Sequence, residues 1–306
     1  METINFRVDQ EEQGIRIDKY LASRLPDYSR SFLQKLVGEG QVLAEGKPVK
    51  SNYKISAGEQ ISLSVPDAVE PEIVPEPIPL DILYEDASLL VINKPKGMVV
   101  HPCPGHYSGT LVNALMYHCK DQLSGINGVM RPGIVHRIDQ NTTGSLVVCK
   151  TDAAHRFLAQ QLKDHSITRK YRAIVHGNLK EEEGTVNAPI GRHPVDRKKM
   201  AVNERCGRNA VTHYRVLERF GSFTYLECRL ETGRTHQIRV HMASIGHPLL
   251  GDDVYGPSRC PIPGLTGQTL HAMTLGFIHP ETGTYMEFEA PLPEYFENLL
   301  EKLRRR

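Results

Sequence analysis

One acid stands out for its setting. In the segment GIVHRIDQNTTGSLVVCK, a polar loop leads into an apolar run, and Asp139 is the single carboxylate among two basic or titratable groups and several hydroxyls. Loops held on the rim of a sheet are where reactive side chains are usually displayed. A carboxylate placed there can act as a nucleophile or as a base. The plainer reading is an aspartate that closes a turn ahead of Gly144, which is the ordinary role of Asp in such segments. Two histidine pairs, His101 with His106 and His236 with His241, invite a metal, but both are five residues apart. That step suits neither one helix face nor the H-E-x-x-H pattern, and no cysteine falls at ligand spacing. The likeness of HRID to the kinase H-R-D loop fails on the intervening Ile138 and on the absence of a glycine-rich loop and D-F-G. No metal and no cofactor is expected.

The elements that must position Asp139 are readable from periodicity. Extended runs are expected at 88–93, 145–150, 168–176, 210–220, 223–230 and 284–290, with helices at 110–118, 152–165, 236–245 and 294–304. Gly221 and Ser222 join two of the runs by a short turn, which favours an antiparallel hairpin. The expectation is an α+β domain with a largely antiparallel mixed sheet. Ile238, Met242 and Ile245 read as a packing stripe with Gly246 as the helix C-cap, which sets Arg239 on a rigid element.

Residues 66–79, PDAVEPEIVPEPIP, are rich in proline and acid and carry no basic residue, as a semi-rigid spacer does. They separate a small N-terminal domain, 1–65, from a larger one, 80–306. In the small domain a first helix carries Ile17, Tyr20 and Leu21, a second starts behind Ser29, and short strands follow near 41–44 and 60–65.

Length and composition agree with this division. The chain has 306 residues, 40% hydrophobic and 24% charged, enough for two buried cores. Its six cysteines form no C-x-x-C pair and read as reduced thiols. The polar, acidic N-terminus has no signal-peptide layout, and no apolar stretch reaches the roughly 18 residues of a membrane span, so a cytoplasmic protein without membrane attachment is expected, with a monomer as the default. The net charge of +1 argues against nucleic acid until it is sorted by region. Arg16, Lys19, Arg30 and Lys35 belong to a basic excess in the small domain, and Arg192, Arg197, Lys198, Lys199, Arg205 and Arg208 to another. Each alone would be a solvated surface.

The string HRIDQNTTG resembles the HRLD-x-x-T-S-G signature of RluA/RluD-type pseudouridine synthases, with Ile138 and Thr143 as mild departures. NKPKGMVVHP at 93–102, ITRKYRAIV at 167–175 and ETGRTHQIRVHMASIGHPLLGD at 231–252 resemble further blocks of that family, and the small domain resembles the S4 RNA-binding domain. The nearest subfamily is the RluD type, which acts on large-subunit ribosomal RNA. The resemblance implies isomerisation of uridine to pseudouridine in a stem-loop of ribosomal RNA, with no cofactor. It makes Asp139 the catalytic acid, Tyr171 the ring that stacks on the flipped base, Arg239 the partner of the acid and Arg137 the group that fills the vacated stack. Arg16, Lys19, Arg30, Lys35, Arg192, Lys198 and Lys199 become RNA contacts. An arginine beside a buried carboxylate favours its ionised form, and an aromatic face suits an unstacked uracil. Whether the acid attacks C1′ or removes a ribose proton stays open. A non-catalytic RNA-binding factor and a nucleosidase-type hydrolase are the competing readings.

Overall fold

Helix α1 (Ile17–Arg24) buries Ile17, Tyr20 and Leu21 on one face, and α2 (Arg30–Gly38) buries Leu33, Leu36 and Val37. Both faces close over a sheet, as amphipathic helices must. The computed structural model describes the chain except residues 1, 27, 66–72, 104, 121, 127, 129, 130, 197, 198 and 306. It divides into two units, Met1–Pro71 and Glu72–Arg306. Part of the proline-rich segment, 66–72, and the residues Arg197 and Lys198 lie outside the described residues.

In the first unit Ser29 caps α2, its hydroxyl accepting the Phe32 N–H. The sheet contains β1 (Glu2–Arg7), β2 (Val42–Ala44), β3 (Lys47–Pro48) and β4 (Gln60–Val65) in the order β1-β4-β2-β3. The strand β1 was not expected from sequence. Its alternation TINFR is masked by flanking charge, and it forms by antiparallel pairing with β4, far along the chain.

The second unit is built on a nine-stranded sheet. Its elements begin with β5 (Ile82–Glu85), β6 (Leu89–Lys94), α3 (Leu111–Cys119), β7 (Thr143–Cys149), α4 (Asp152–Lys163) and β8 (Thr168–His176). There follow β9 (Glu183–Asn187), β10 (Ile190–Arg192), β11 (Met200–Val202), β12 (Val211–Arg219), β13 (Phe223–Leu230) and α5 (Gln237–Ser244). The unit ends with β14 (Leu270–Ile278), β15 (Tyr285–Glu289) and α6 (Glu294–Arg304). The large sheet runs β5-β6-β7-β14-β8-β13-β12-β9 with β15 added to β14, while β10 and β11 form a separate hairpin. β12 and β13 pair antiparallel across Gly221 and Ser222.

Strands β5, β9, β10, β11 and β14 were not expected from sequence, and the last of these is central. β14 lies between β7 and β8, parallel to the first and antiparallel to the second. Six of its nine residues are apolar with no clean alternation, because seven of the nine are buried, and it follows a stretch broken by Pro261, Pro263, Gly264 and Gly267. A strand covered on both faces leaves no period-two signal. β7 is likewise buried at every position.

Gly144 explains how these two strands meet. At φ 109° it lies so close to β14 that a Cβ would come within 2.2 Å of the Ala272 carbonyl oxygen. Any other residue would force β7 and β14 apart. The packing stripe on α5 is also partly corrected. Ile238 and Met242 are buried, but Ile245 is exposed because it is the C-cap, and Gly246 turns the chain behind it at φ 82°. Gly246 N–H reaches the Ala243 carbonyl and His247 N–H that of Met242, a Schellman closure.

Candidate active site

The loop between Val135 and Thr143 is mostly scaffold. His136 accepts the Val147 N–H through Nε2 at 3.0 Å, and burial pushes this imidazole down to about 3, so it is a neutral acceptor. Ile138 is buried in the core. Thr142 accepts from Gln268, and the Thr143 hydroxyl bonds His271 Nδ1. Gly97 N–H and Lys94 both donate to the Gln140 carbonyl. The side chains of Arg137, exposed at one side, and Asp139 find their partners outside the segment.

The turn at Asp139 is closed by its backbone, since Thr142 N–H donates to the Asp139 carbonyl at 3.0 Å. The side chain is left for another partner. Arg239 NH1 donates to Asp139 Oδ2 at 2.9 Å, and His236 Nε2 stands 3.8 Å from Oδ1. Sequence reasoning expected a buried carboxylate. It is 23% exposed instead, because its loop opens onto a cleft.

Arg239 sits on α5 with its side chain only 5% exposed. Its Nε and NH2 grip Asp252 Oδ2 and Oδ1 at 2.7 and 3.0 Å. This two-pronged hold fixes the plane of the guanidinium and aims its remaining nitrogen at Asp139. Burial disfavours charge on Asp252, but the bonds from Arg239 and from the Tyr255 and Val254 N–H groups outweigh it and hold the carboxyl below its usual range. Burial also opposes charge on Arg239, and the two aspartates raise its pKa further still. The Tyr255 ring lies under the guanidinium, 5.1 Å from its carbon. The Tyr255 hydroxyl bonds His236 Nδ1 and accepts the Met200 N–H, which ties the β10–β11 hairpin to the same cluster. His236 holds left-handed backbone at φ 56°, a strained setting for a residue with a Cβ.

Tyr171 lines the same cleft from β8, with Leu230, Ile238 and Leu270 as apolar walls. Burial raises its phenol pKa, which keeps the hydroxyl protonated. Arg137 also lines the cleft and donates to Thr235 Oγ1 at 3.2 Å. Asp139, Tyr171, Arg239 and Arg137 are therefore brought together.

Four residues at this site were not singled out by sequence. Asp252 ends the 231–252 block that carries Arg239, but nothing in the sequence pairs the two. Tyr255 sits in the loop behind it. His236, set aside as a metal ligand, reads in sequence as a hydrogen-bonding or RNA-facing side chain, with nothing to pair it with Asp139 or Tyr255. Lys94, fully buried, gives its three protons to the carbonyls of Pro95, Met98 and Gln140 at 2.8, 2.8 and 2.9 Å. Burial draws its ammonium down to about 7, against the pull of Asp139. Its signal was its place in NKPKG, directly after an apolar strand.

In the first unit Lys19 is exposed, Lys35 is 3.7 Å from Glu39, and Arg16 and Arg30 both bond Asp18. Arg192 ends β10 on the surface, and Lys199 precedes β11. The histidine pairs do not assemble as ligands: His241 is buried between Thr212 Oγ1 and the Ala188 carbonyl, and His106 is exposed. Among the described residues the one group able to hold a metal is Glu85, His118 and Cys119, where Lys150 already bonds Glu85. Within those residues no helix is long and apolar enough to cross a membrane.

Residues 88–244 match the family model described as RNA pseudouridylate synthase, and residues 15–61 match that of the S4 domain. A relative in Bacillus subtilis, described as an uncharacterized RNA pseudouridine synthase, is 56% identical over 305 residues, covering 100% of this chain and 99% of its own. The ribosomal large subunit pseudouridine synthase D of Zymomonas mobilis is 48% identical, covering 99% and 98%. Among solved structures, human RNA pseudouridylate synthase domain containing 1 superposes with a TM-score of 0.57 at 25% identity, covering 79% of this chain and 98% of that one. With more than half of its length matched by that family model and relatives aligned along nearly all of it, the chain belongs to the RNA pseudouridylate synthase family and is an RNA pseudouridine synthase.

Proposed function

We propose that the chain converts uridines of large-subunit ribosomal RNA to pseudouridine, with Asp139 as the reacting carboxylate. The observation that carries the assignment is the arrangement at Arg239. Two of its nitrogens are fixed on a fully buried Asp252, and a third holds Asp139 by one oxygen at the mouth of an apolar cleft. That leaves Asp139 Oδ1 without a hydrogen bond from Arg239, with His236 Nε2 3.8 Å away. The ribosomal target follows from relatives named for the large subunit, in Zymomonas mobilis and in Pseudomonas aeruginosa.

In the reaction the C1′–N1 bond breaks, the uracil turns in place, and a C1′–C5 bond forms. The proton on C5 is lost and N1 gains one, so no outside reactant enters. Asp139 serves either as nucleophile at C1′ or as the base that takes a ribose proton. Asp252 is unsuited to act as a second catalytic carboxyl, since its oxygens already accept from Arg239, Val254 and Tyr255. Tyr171 offers the flipped base an aromatic face, and the apolar walls exclude water that would otherwise release free uracil. Arg137 enters the stack the uridine leaves. Arg16, Lys19, Arg30 and Lys35 of the S4 segment, with Arg192, Lys198 and Lys199, meet RNA phosphates.

Asp139→Asn keeps the shape and the Arg239 contact but removes the charge. It should abolish pseudouridine formation on ribosomal RNA while binding persists, as read by sequencing after chemical marking of pseudouridine. Turnover by the asparagine variant would overturn the assignment.

A further inference from the structure

β8 sends two large polar side chains toward the cleft side of the sheet, Tyr171 and, two residues before it, Arg169. Arg169 is 7% exposed. Its NH2 donates to the Glu231 carbonyl at 3.1 Å, its Nε has no partner, and among the described residues no carboxylate pairs with it. This contrasts with Arg239, similarly buried but held by two aspartates. Burial disfavours the charge on Arg169 and lowers its pKa, yet a guanidinium remains protonated in any ordinary protein setting. A buried cation without a counter-ion is costly, and such sites persist where an anion arrives from outside.

The surroundings are built around that side chain. Gly233 lies against the guanidinium, where a Cβ would approach NH1 to 2.4 Å. The two residues line a cavity of about 440 Å³ that adjoins the cleft, sharing Asp139 and Tyr171 with it. Its other cationic walls are Arg137, Lys163 and Arg234. Arg234 donates through Nε to the Asn209 carbonyl and, like Arg137, makes no ion pair with a described carboxylate. Asp139 is the one acid in the lining, and Arg239 meets its charge. The cavity thus presents unneutralised positive charge one step from the reacting carboxylate.

We propose that this cavity seats a phosphodiester of the RNA, the one joining the target nucleotide to its neighbour, with Arg169 as the buried donor and Arg234 at the rim. This rests on the reading of Asp139 as the reacting group: a uridine whose C1′ reaches Asp139 carries a phosphate on either side of the same ribose. A tetrahedral anion accepts from converging guanidinium donors in a way a flat base edge does not. Holding that phosphate fixes the ribose before chemistry begins, which makes Arg169 a positioning residue for the nucleotide.

The test uses the full chain carrying Asp139→Asn, so that RNA is bound without being consumed, and a large-subunit ribosomal RNA transcript as probe. Affinity is measured across a salt series. Each phosphate contact to unpaired RNA contributes about 0.7 to the slope of log affinity against log salt. Adding Arg169→Gln should weaken binding about tenfold or more and reduce the slope by about that amount. Arg169→Lys should restore the slope, and Arg234→Gln should lower it. An unchanged slope in Arg169→Gln, with only a lower melting temperature, would make Arg169 a structural residue and overturn the proposal. If Arg169→Gln does not fold, an unchanged slope in Arg234→Gln overturns it alone. Protection of the parent by inorganic phosphate, with no slope change for RNA, would also overturn it by assigning the cavity to a free ion. Pseudouridine formation by the chain with Asp139 intact is scored separately: its absence beside a lowered slope rejects the catalytic reading and leaves this one standing.

Discussion

Both units bury an aspartate against arginine, and they do so in opposite senses. In the first unit Asp18 is 0% exposed and accepts from Arg16, Arg30 and Gln34, while the two arginines remain 43% and 49% exposed. In the second, Asp252 is equally buried, but so is its arginine, and the group left facing outward is Asp139. A buried acid that organises exposed cations makes a fixed positive surface. A buried acid that organises a buried cation makes a fixed, oriented negative charge at a cleft. The same ion-pair chemistry therefore leaves exposed cations in one place and an oriented carboxylate in the other.

The comparison breaks hardest at Arg239. Arg239→Ala leaves Asp252 buried without its partner, a loss of about 3–5 kcal/mol for a broken buried pair. Pseudouridine formation should fall by a hundredfold or more, since each tenfold corresponds to about 1.4 kcal/mol of lost orientation or charge stabilisation. Arg239→Lys tests the fork itself. One ammonium cannot take both oxygens of Asp252 and still aim at Asp139, so activity should stay low although charge is kept. Near-parental turnover by the lysine variant would show that charge alone suffices.

Lys94 tests whether the Asp139 loop needs its own anchor. Lys94→Met takes the ammonium from the carbonyls of Pro95 and Met98 and leaves that of Gln140 with the Gly97 N–H alone, at about 1–3 kcal/mol for each lost bond that water does not replace. The pH dependence has a definite sign. The folded pKa, about 7, lies below the unfolded one. Between the two the unfolded chain holds more protons, so this lysine's contribution to stability rises as pH rises from about 7 toward about 10.4. Denaturant melts at pH 6.5 and pH 9 should show the parent gaining on Lys94→Met at the higher pH. A pH-independent gap would mean that the ammonium keeps its proton throughout.

How far this arrangement could be read in advance depended on whether its determinants were local. Ser29 as a cap, the 294–304 helix and the hairpin at Gly221 are short-range and were legible. The residues Asp139, Tyr171, Arg239 and Arg137 were named by the family resemblance of the segments that carry them, and they meet in one cleft. What stayed hidden depends on distant backbone. β14 has no alternation because both its faces are covered, and β1 acquires its partner some sixty residues later. Lys94 acts on carbonyls, which leave no mark in a sequence, and Asp18, whose burial makes it the organiser of Arg16 and Arg30, reads in sequence as one acid within a basic stretch.

Asp18→Asn should therefore do more to RNA binding than to chemistry. Burial opposes its charge, and the bonds from Arg30, Gln34 and Arg16 outweigh that and hold its pKa well below the usual range. The stabilisation is present above the unfolded pKa near 4 and fades as pH falls below it. Neutralising the acid should cost about 1–3 kcal/mol, toward the lower end because both guanidiniums stand in water. RNA affinity should drop several-fold through an increased dissociation constant, with turnover at saturating RNA unchanged. An equal fall in saturated turnover would break the division of labour between the two aspartates.

The smallest effect separates the helix from the ion cluster. The cap at Ser29 opens α2, which carries both Arg30 and Gln34 toward Asp18. Ser29→Ala removes the acceptor for Phe32 N–H and should cost about 1 kcal/mol. If the cluster depends on a well-formed first turn, Ser29→Ala and Asp18→Asn will combine to less than the sum of their separate costs, since each loosens the same contacts. Strict additivity in denaturant melts would mean that Asp18 holds its arginines independently of how the helix begins.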